Sequence, residues 1–300
     1  MMAGGFTAID MSQLPAPNVV LPVSYEATLT AMLADLRARD PIFDALVESD
    51  PAYKILEIAA YYKTLTDQRV NDGARAVMPA YATGSDLDQI AVRFGVERLV
   101  IDPGDPDALP PVVPVLESDE DFRRRMLLAF EGLSTAGPAG AYIFHALGAD
   151  AEVADASVQS PAPGQVLVSI LSRTGNGTAD AELVANVTAV ISADDVRPLT
   201  DQVTVQAATI TDYAITATLT VLPGPDSTVV RQSAEDAAAA FATAQHRLGR
   251  DVTLSGLYAA LHRPGVQNVA LTSPAADIVI GEAQAPYCTG IIVTVGGTGA

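Results

Sequence analysis

His145, His246, His262 and Cys288 are the residues of this chain best suited to nucleophilic or metal chemistry. None of the histidines has a second ligand three or four residues away, and a tetrahedral metal site needs three or four converging ligands. His145 sits among Tyr142, Ile143, Phe144 and Leu147, the company of a core or half-buried ring. Thr174-Gly175-Asn176-Gly177-Thr178 precedes a helical pattern, as a phosphate loop does. It lacks the lysine of a P-loop and the spacing of a dinucleotide motif, so it reads as a flexible surface loop. Asp102-Pro103-Gly104-Asp105-Pro106-Asp107 imitates a calcium loop, yet Asp107 and Val113 stand where Gly and Glu are needed. No serine lies in a G-x-S-x-G elbow. The abundant carboxylates leave an acid/base pair open. The expectation is a protein without enzymatic activity, cofactor or metal.

A second set of polar residues is concentrated elsewhere. Arg69-Val70-Asn71-Asp72, Asp86-Leu87-Asp88 and Arg93-Phe94-Gly95-Val96-Glu97-Arg98 crowd charge into a helical region with no nucleophile and no histidine. Such a stretch suggests a docking surface. Arg69, Asp72, Asp86 and Arg98 are expected to form a polar brace, because guanidinium presents a planar fork suited to carboxylates. Exposed pairs contribute only about 0–1 kcal/mol, so the brace matters only if partly buried.

The 300 residues can bury more than one core, and two or three domains are expected. Apolar residues make up 49% and charged residues 18%, a folding composition. The chain carries 17 Lys plus Arg against 36 Asp plus Glu, a net charge of -19. That surface repels phosphate backbones, which argues against nucleic acid as a partner. It also opposes casual self-association, so assembly must use buried patches poor in acid. One cysteine excludes an intrachain disulfide and fits a reducing compartment. Met1 to Asp10 does not read as a signal peptide. No apolar run is long enough to span a bilayer, so no membrane partner is expected.

The elements that would position these residues fall into five parts. Residues 1–23 read as an extended arm, since Pro15, Pro17 and Pro22 cannot propagate a helix. Residues 24–101 read as a helical region. Ser24 caps a helix to about Arg39 with Leu29, Met32, Leu33 and Leu36 as its stripe. Asp50-Pro51 opens a long helix reaching about residue 82, with Asp50 as the cap. Its stripe includes Ile55, Ile58, Tyr62 and Leu65, the residues expected to meet helices of other chains, unless they form the one buried face of a domain helix. Gly73 is a weak point, and Ser85 starts a further helix with Asp88, close to a capping box. Residues 102–116 form a proline-rich, extended connector.

Residues 117–206 combine helices with an α+β module. Ser118 caps a helix whose stripe is Phe122, Met126, Phe130 and Leu133. Arg123-Arg124-Arg125 is the dense basic run, either a solvated face or a contact with an acidic neighbour. A short helix spans Ala141 to Leu147. Strands at 166–171 and 203–205 flank a helix at 181–191. Residues 207–300 repeat that order of elements: a strand at 213–221, an alanine-rich helix at 227–248, a helix at 253–262, and strands at 266–271 and 289–295. The fold class is α+β and multidomain, with an N-terminal helical region and long helix followed by two small α+β sandwich modules. Ala237, Phe241 and Ala244 on the alanine-rich helix offer a face for self-association, unless that face packs on its own sheet. The strands at 266–271 and 291–295 are possible edges that pair across copies.

Several segments, in order, also resemble a known family. They are Leu14-Pro15-Ala16-Pro17 before Tyr25-Glu26, Arg69-Val70-Asn71-Asp72, Tyr81-Ala82 with Gly84-Ser85-Asp86-Leu87-Asp88, and Phe94-Gly95-Val96-Glu97-Arg98. Glu117-Ser118-Asp119 with Phe122-Arg123, Glu131 through Pro138, Val196 through Asp201 and Arg263-Pro264-Gly265-Val266 complete the set. Their order and spacing are similar to the baseplate assembly protein J family of contractile-tailed phages. Gly73 stands where that pattern has alanine, which bears only on local helix stiffness. The resemblance implies a structural wedge component of a virion tail baseplate, assembled in the bacterial cytoplasm. It implies two copies joined to one baseplate protein I-type partner through their N-terminal helices. C-terminal domains would link neighbouring wedges into a ring around the hub, near the sheath-initiating baseplate protein, and the ring would rearrange to trigger sheath contraction. The alternatives are a carboxylate-based cell-wall-degrading enzyme and the equivalent part of a non-phage contractile injection system.

Overall fold

The computed structural model describes residues 14, 15, 23–224 and 226–299. All but Leu14, Pro15 and Val23 of the expected arm lies outside the described residues. The chain divides into two compact units, one within Thr7–Glu97 and one carrying Arg98–Ala300.

The first unit is helical. Ser24 accepts a hydrogen bond from the Ala27 amide at 3.2 Å and starts α1 (Tyr25–Arg39), which Asp40-Pro41 ends. Leu29 and Leu33 of α1 pack on Ala60 of α2 (Pro51–Ala76), with Tyr25, Met32, Leu46, Tyr53 and Leu56 around them. Helix α2 is shorter than its sequence pattern predicts. It stops at Ala76, and residues 77–82 close in tight turns, so its length is about 39 Å at 1.5 Å per residue. Asp50 does not cap it; its carboxylate accepts the Val47 amide at 2.9 Å instead. The Tyr81 hydroxyl donates to the Leu14 carbonyl. Helix α3 (Gly84–Ala91) has Thr83 at its N-cap, with no side-chain bond, so the capping box expected at Ser85 does not form.

In the second unit the connector folds back rather than extending. β1 (Val100–Asp102) pairs antiparallel with β2 (Val115–Leu116), and Asp105 and Val112 exchange backbone hydrogen bonds at 2.9 and 3.0 Å. Asp102 accepts the Gly104 amide and Asp105 the Asp107 amide, so local turns occupy these aspartates. Gly104 makes the turn possible: its φ is 68°, and a Cβ there would lie 2.4 Å from the Val112 oxygen.

Ser118 caps α4 (Asp119–Gly132) by accepting the Asp121 amide at 3.2 Å. Phe122 and Met126 are buried as expected, but Phe130 and Leu133 are 66% and 79% exposed. The buried face turns instead through Arg125, Leu128 and Ala129. Helix α5 (Ala139–Ala149) is longer than its pattern predicts and runs through Gly148. A strand without a strong sequence signal, β3 (Val153–Gln159), precedes β4 (Gln165–Ser172). Helix α6 (Ala181–Ile191) then leads to β5 (Gln202–Ala207). The sheet order is β3-β4-β5, with the first pair antiparallel and the second parallel. Tyr142 and Leu147, Val168 and Ile170, and Leu183, Val187 and Ile191 share one core.

Ala208 alone separates β5 from β6 (Thr209–Val221). Helices α7 (Ser227–Gln245) and α8 (Leu254–Leu261) follow, then β7 (Val266–Ser273) and β8 (Gln284–Thr298). The second sheet has the order β7-β6-β8, antiparallel then parallel, so β7 and β8 are its edges. Alternate β6 residues Ile215, Ala217, Leu219 and Val221 pack against Val230, Ala234, Ala238 and Leu257. The expected repeat of element order does not hold. β4 and β5 are parallel across one helix, whereas β6 and β7 are antiparallel across two, and only the mixed three-stranded sheet is common to both modules.

Gly104→Ala should lower stability by about 1–3 kcal/mol, because alanine is strained at positive φ and meets the facing carbonyl. A urea midpoint equal to that of the parent chain would contradict this.

Candidate functional site

Two features stand out: an exposed apolar helix face in the first unit and a buried ionic network in the second. Among the described residues, no group of three or more His, Cys, Asp or Glu side chains converges as a metal site. None of the described helices is long and apolar enough to cross a membrane. Two of the histidines have structural contacts. His145 Nε2 lies 3.1 Å from the Gly132 carbonyl, and His246 Nδ1 lies 2.6 Å from that of Pro286. The glycine-rich loop closes as a turn, with the Ser172 amide donating to the Gly177 carbonyl at 2.8 Å. A Cβ on Gly177 would lie 2.6 Å from Leu171 and 2.9 Å from His246, so the loop abuts the module that follows.

Helix α2 has two apolar faces. Ala60, wholly buried, marks the face packed on α1. At about 100° per residue, Ile55, Ile58, Tyr62 and Leu65 fall on the opposite face. They are 65%, 58%, 63% and 47% exposed. Tyr61, also exposed, meets the Tyr62 ring edge-on at 5.6 Å.

Arg69, Asp72 and Asp86 are exposed, and Asp72 accepts from Gln68 of its own helix at 2.8 Å. Arg98 is the least exposed of the four expected brace residues, with a side chain about 10% accessible. It pairs with Asp119 at 2.8 Å, donates to the Glu117 carbonyl at 2.7 Å, and its guanidinium stands 4.6 Å from the centre of the Phe122 ring. Beside it, Glu117 accepts two hydrogen bonds from Arg125, at 3.1 and 2.6 Å, and one from the Leu99 amide. That pair is almost fully buried, with side-chain exposures of 7% and 2%. Within the arginine run, Arg125 is therefore a salt-bridged contact rather than part of a solvated face.

A second cluster lies one turn along. Arg124 pairs with Asp155 of β3 at 2.6 Å. Asp121 accepts from Arg173 at 2.7 Å and from Arg247, which follows α7. Arg247 also donates to the Ala154 carbonyl, and the Leu248 amide donates to Asp155 at 3.0 Å. Burial pushes the Asp121 carboxyl up, but the charge of Arg247 and the hydrogen bond and charge of Arg173 outweigh it and hold the group below the usual carboxylate range. Asp155, Arg173 and Arg247 carry no local sequence pattern. Only the acidic first turn of α4 and the arginine run hint at the network.

The self-association residues are mostly used within the chain. Phe241 and Ala237 are half-buried. Phe241 packs on the module's own core and over Gly256 of α8, where a Cβ would lie 2.7 Å from its ring. Ala244 is exposed.

Family models describe the chain in three pieces: a baseplate J-like N-terminal domain over residues 48–105, a central domain over 134–207 and a C-terminal domain over 213–294. Baseplate protein J of Escherichia phage P2 is 48% identical over 297 residues, covering 97% of this chain and 98% of that one. This chain belongs to the baseplate J-like family. Its structure is also similar to a chain in the cryo-EM structure of the anti-feeding prophage (AFP) baseplate, at 16% identity and a TM-score of 0.41 over 59% of this chain. The match spans 44% of that longer chain.

In this J-like chain the quoted segments acquire structural roles. Glu117-Ser118-Asp119 supplies the Arg125 acceptor, the α4 cap and the Arg98 partner. Asp201 accepts the Tyr142 hydroxyl at 2.8 Å, and burial together with that bond raises the phenol's pKa.

Arg125→Met should cost about 3–5 kcal/mol in chemical denaturation, since it leaves the Glu117 carboxylate buried and uncompensated. A loss below about 1 kcal/mol would show that water reaches the site. The depressed Asp121 pKa gives a second expectation. A carboxyl lowered by folding contributes stability that is present above its ordinary value, about 4, and lost as pH falls through the folded value. The thermal midpoint should drop below about pH 4, and Asp121→Asn should flatten part of that drop. Parallel pH profiles for the two proteins would refute it.

Proposed function

We propose that this chain is a structural, non-catalytic wedge component of a phage baseplate, carried in the virion tail after assembly in the host cytoplasm. The observation that carries the reading is the second apolar face of α2. A helix that packs through Ala60 and leaves Ile55, Ile58, Tyr62 and Leu65 exposed on the opposite side has a face for other helices. Its occupants in this reading are a second copy of the chain and a baseplate protein I-type partner. Membership of the J-like family and identity to the phage P2 protein support the baseplate setting.

In the same reading the C-terminal module, from about 207 onward, links neighbouring wedges into a ring around the hub. The ring then rearranges to trigger sheath contraction. With Phe241 turned to its own core, the contacts fall to the sheet edges β7 and β8 and to the end of α7 at Ala244. At a net charge of -19, such contacts need surfaces poor in acid, and edge backbones meet that need. The five-part division at residues 23, 101, 116 and 206 is the working map for this assembly.

Replacing Ile58 and Leu65 together with Asp should abolish co-purification with the wedge partner after co-expression. Each buried aliphatic side chain contributes roughly 1.5–3 kcal/mol to such a contact. Both positions are exposed in the single chain, so its circular dichroism and thermal midpoint should hardly change. Retention of the partner by the double variant would sink the assignment of this face.

A further inference from the structure

The buried cluster at the start of α4 has an internal asymmetry. Asp121 and Asp155 each hold an arginine from their own module: Arg173 for Asp121, and Arg124 for Asp155. Each also accepts one group from the module that follows: the Arg247 guanidinium and the Leu248 amide. If the two incoming groups withdrew, neither carboxylate would be left buried without a countercharge. The large penalty for breaking a buried pair arises from an uncompensated charge, and here the resident arginines remove it. Arg247 would pass to water, where a guanidinium is well solvated.

The rest of the contact is one exposed hydrogen bond, from the Gln159 side-chain amide to Glu282 at 3.0 Å, and a small apolar patch. Leu171, Ala208 and Ala285 form its buried centre, with Ala154, Ile210 and Leu248 around them. Half of these six are alanines, which bury little area. The covalent link is also short, because Ala208 is the single residue between β5 and β6. A polar crevice of about 150 Å³, lined by Glu120, Asp121, Arg124, Asp155, Arg247, Leu248 and Arg250, gives water access to the contact.

We propose that Arg247 and the Leu248 amide form a reversible clasp between the central and C-terminal modules, whose release lets the two pivot about Ala208 while both cores stay folded. The clasp is independent of which partners the baseplate supplies. It would be an element with two states, closed chiefly by Arg247 and the Leu248 amide, in the part of the chain that would follow any rearrangement of neighbours.

Hydrogen exchange on the intact chain tests this without a variant. The Leu248 amide should exchange at least about tenfold faster than the amides of Val187 and Ile215, which lie inside the two cores. Equal protection at all three would overturn the proposal, because the contact would then open only with global unfolding. Arg247→Gln should accelerate Leu248 exchange and leave Val187 and Ile215 unchanged. If that variant deprotects all three amides together, the contact is part of one rigid core and the clasp is refuted. Arg231→Gln serves as the control, since Arg231 pairs only along its own helix with Glu235, and should alter none of the three rates.

Discussion

The organisation of the larger unit depends on neutralising buried carboxylates with arginine. In a chain with more than twice as many acids as bases, Glu117, Asp119, Asp121 and Asp155 gather around one helix start. The N-terminal dipole of α4 favours acids there but cannot compensate four of them. Arg98, the adjacent pair Arg124 and Arg125, Arg173 and Arg247 converge from four places in the sequence to do so. Lys54 and Lys63 are the only lysines among the 17 basic residues, and both lie on the surface of α2. Arginine suits the buried role because its fork can satisfy both oxygens of a carboxylate, as Arg125 does for Glu117.

This arrangement ties together parts that hydrophobic contact alone would leave loosely joined. The β1–β2 ribbon buries little apolar surface; Val100, Leu109, Val113, Val115 and Leu116 are all exposed. It is held at its base through the Leu99 amide and Arg98, both bonded to Glu117. The smaller unit follows another logic. Its core centres on Leu29, Leu33 and Ala60, and much of its apolar surface faces outward. The larger unit is finished internally by charge pairs, while the smaller one carries exposed Ile55, Ile58, Tyr62 and Leu65 on one face of its longest helix.

What could be read from the sequence follows the range of the interactions. Local signals worked: Ser24 and Ser118 cap the helices they precede, and the period of β6 gives its buried side. The face of α2 was legible because helical spacing is local. The errors arose where distant residues decide. The end of α2 was placed too late because apolar spacing continues through the turns at 77–82. Phe130 and Leu133 continue the α4 stripe in sequence, yet Arg125 takes the buried position because Glu117 waits for it. Arg98, expected in a brace with Arg69, Asp72 and Asp86, also pairs with Asp119, a contact no spacing rule anticipates. β3 went unnoticed because Asp155 and Ser157 interrupt its apolar run, and Asp155 is the residue that Arg124 and Leu248 engage.

The passage from β5 into β6 has a mechanical meaning. Residues 202–221 run as two strands with one residue between them, and each strand is paired in parallel with a neighbour, β4 in one sheet and β8 in the other. Tension along this segment would load those ladders in shear, with many hydrogen bonds sharing the strain at once, rather than peeling them one by one. The segment is thus the tensile member of the larger unit, able to transmit a pull from one sheet to the other without first dismantling either.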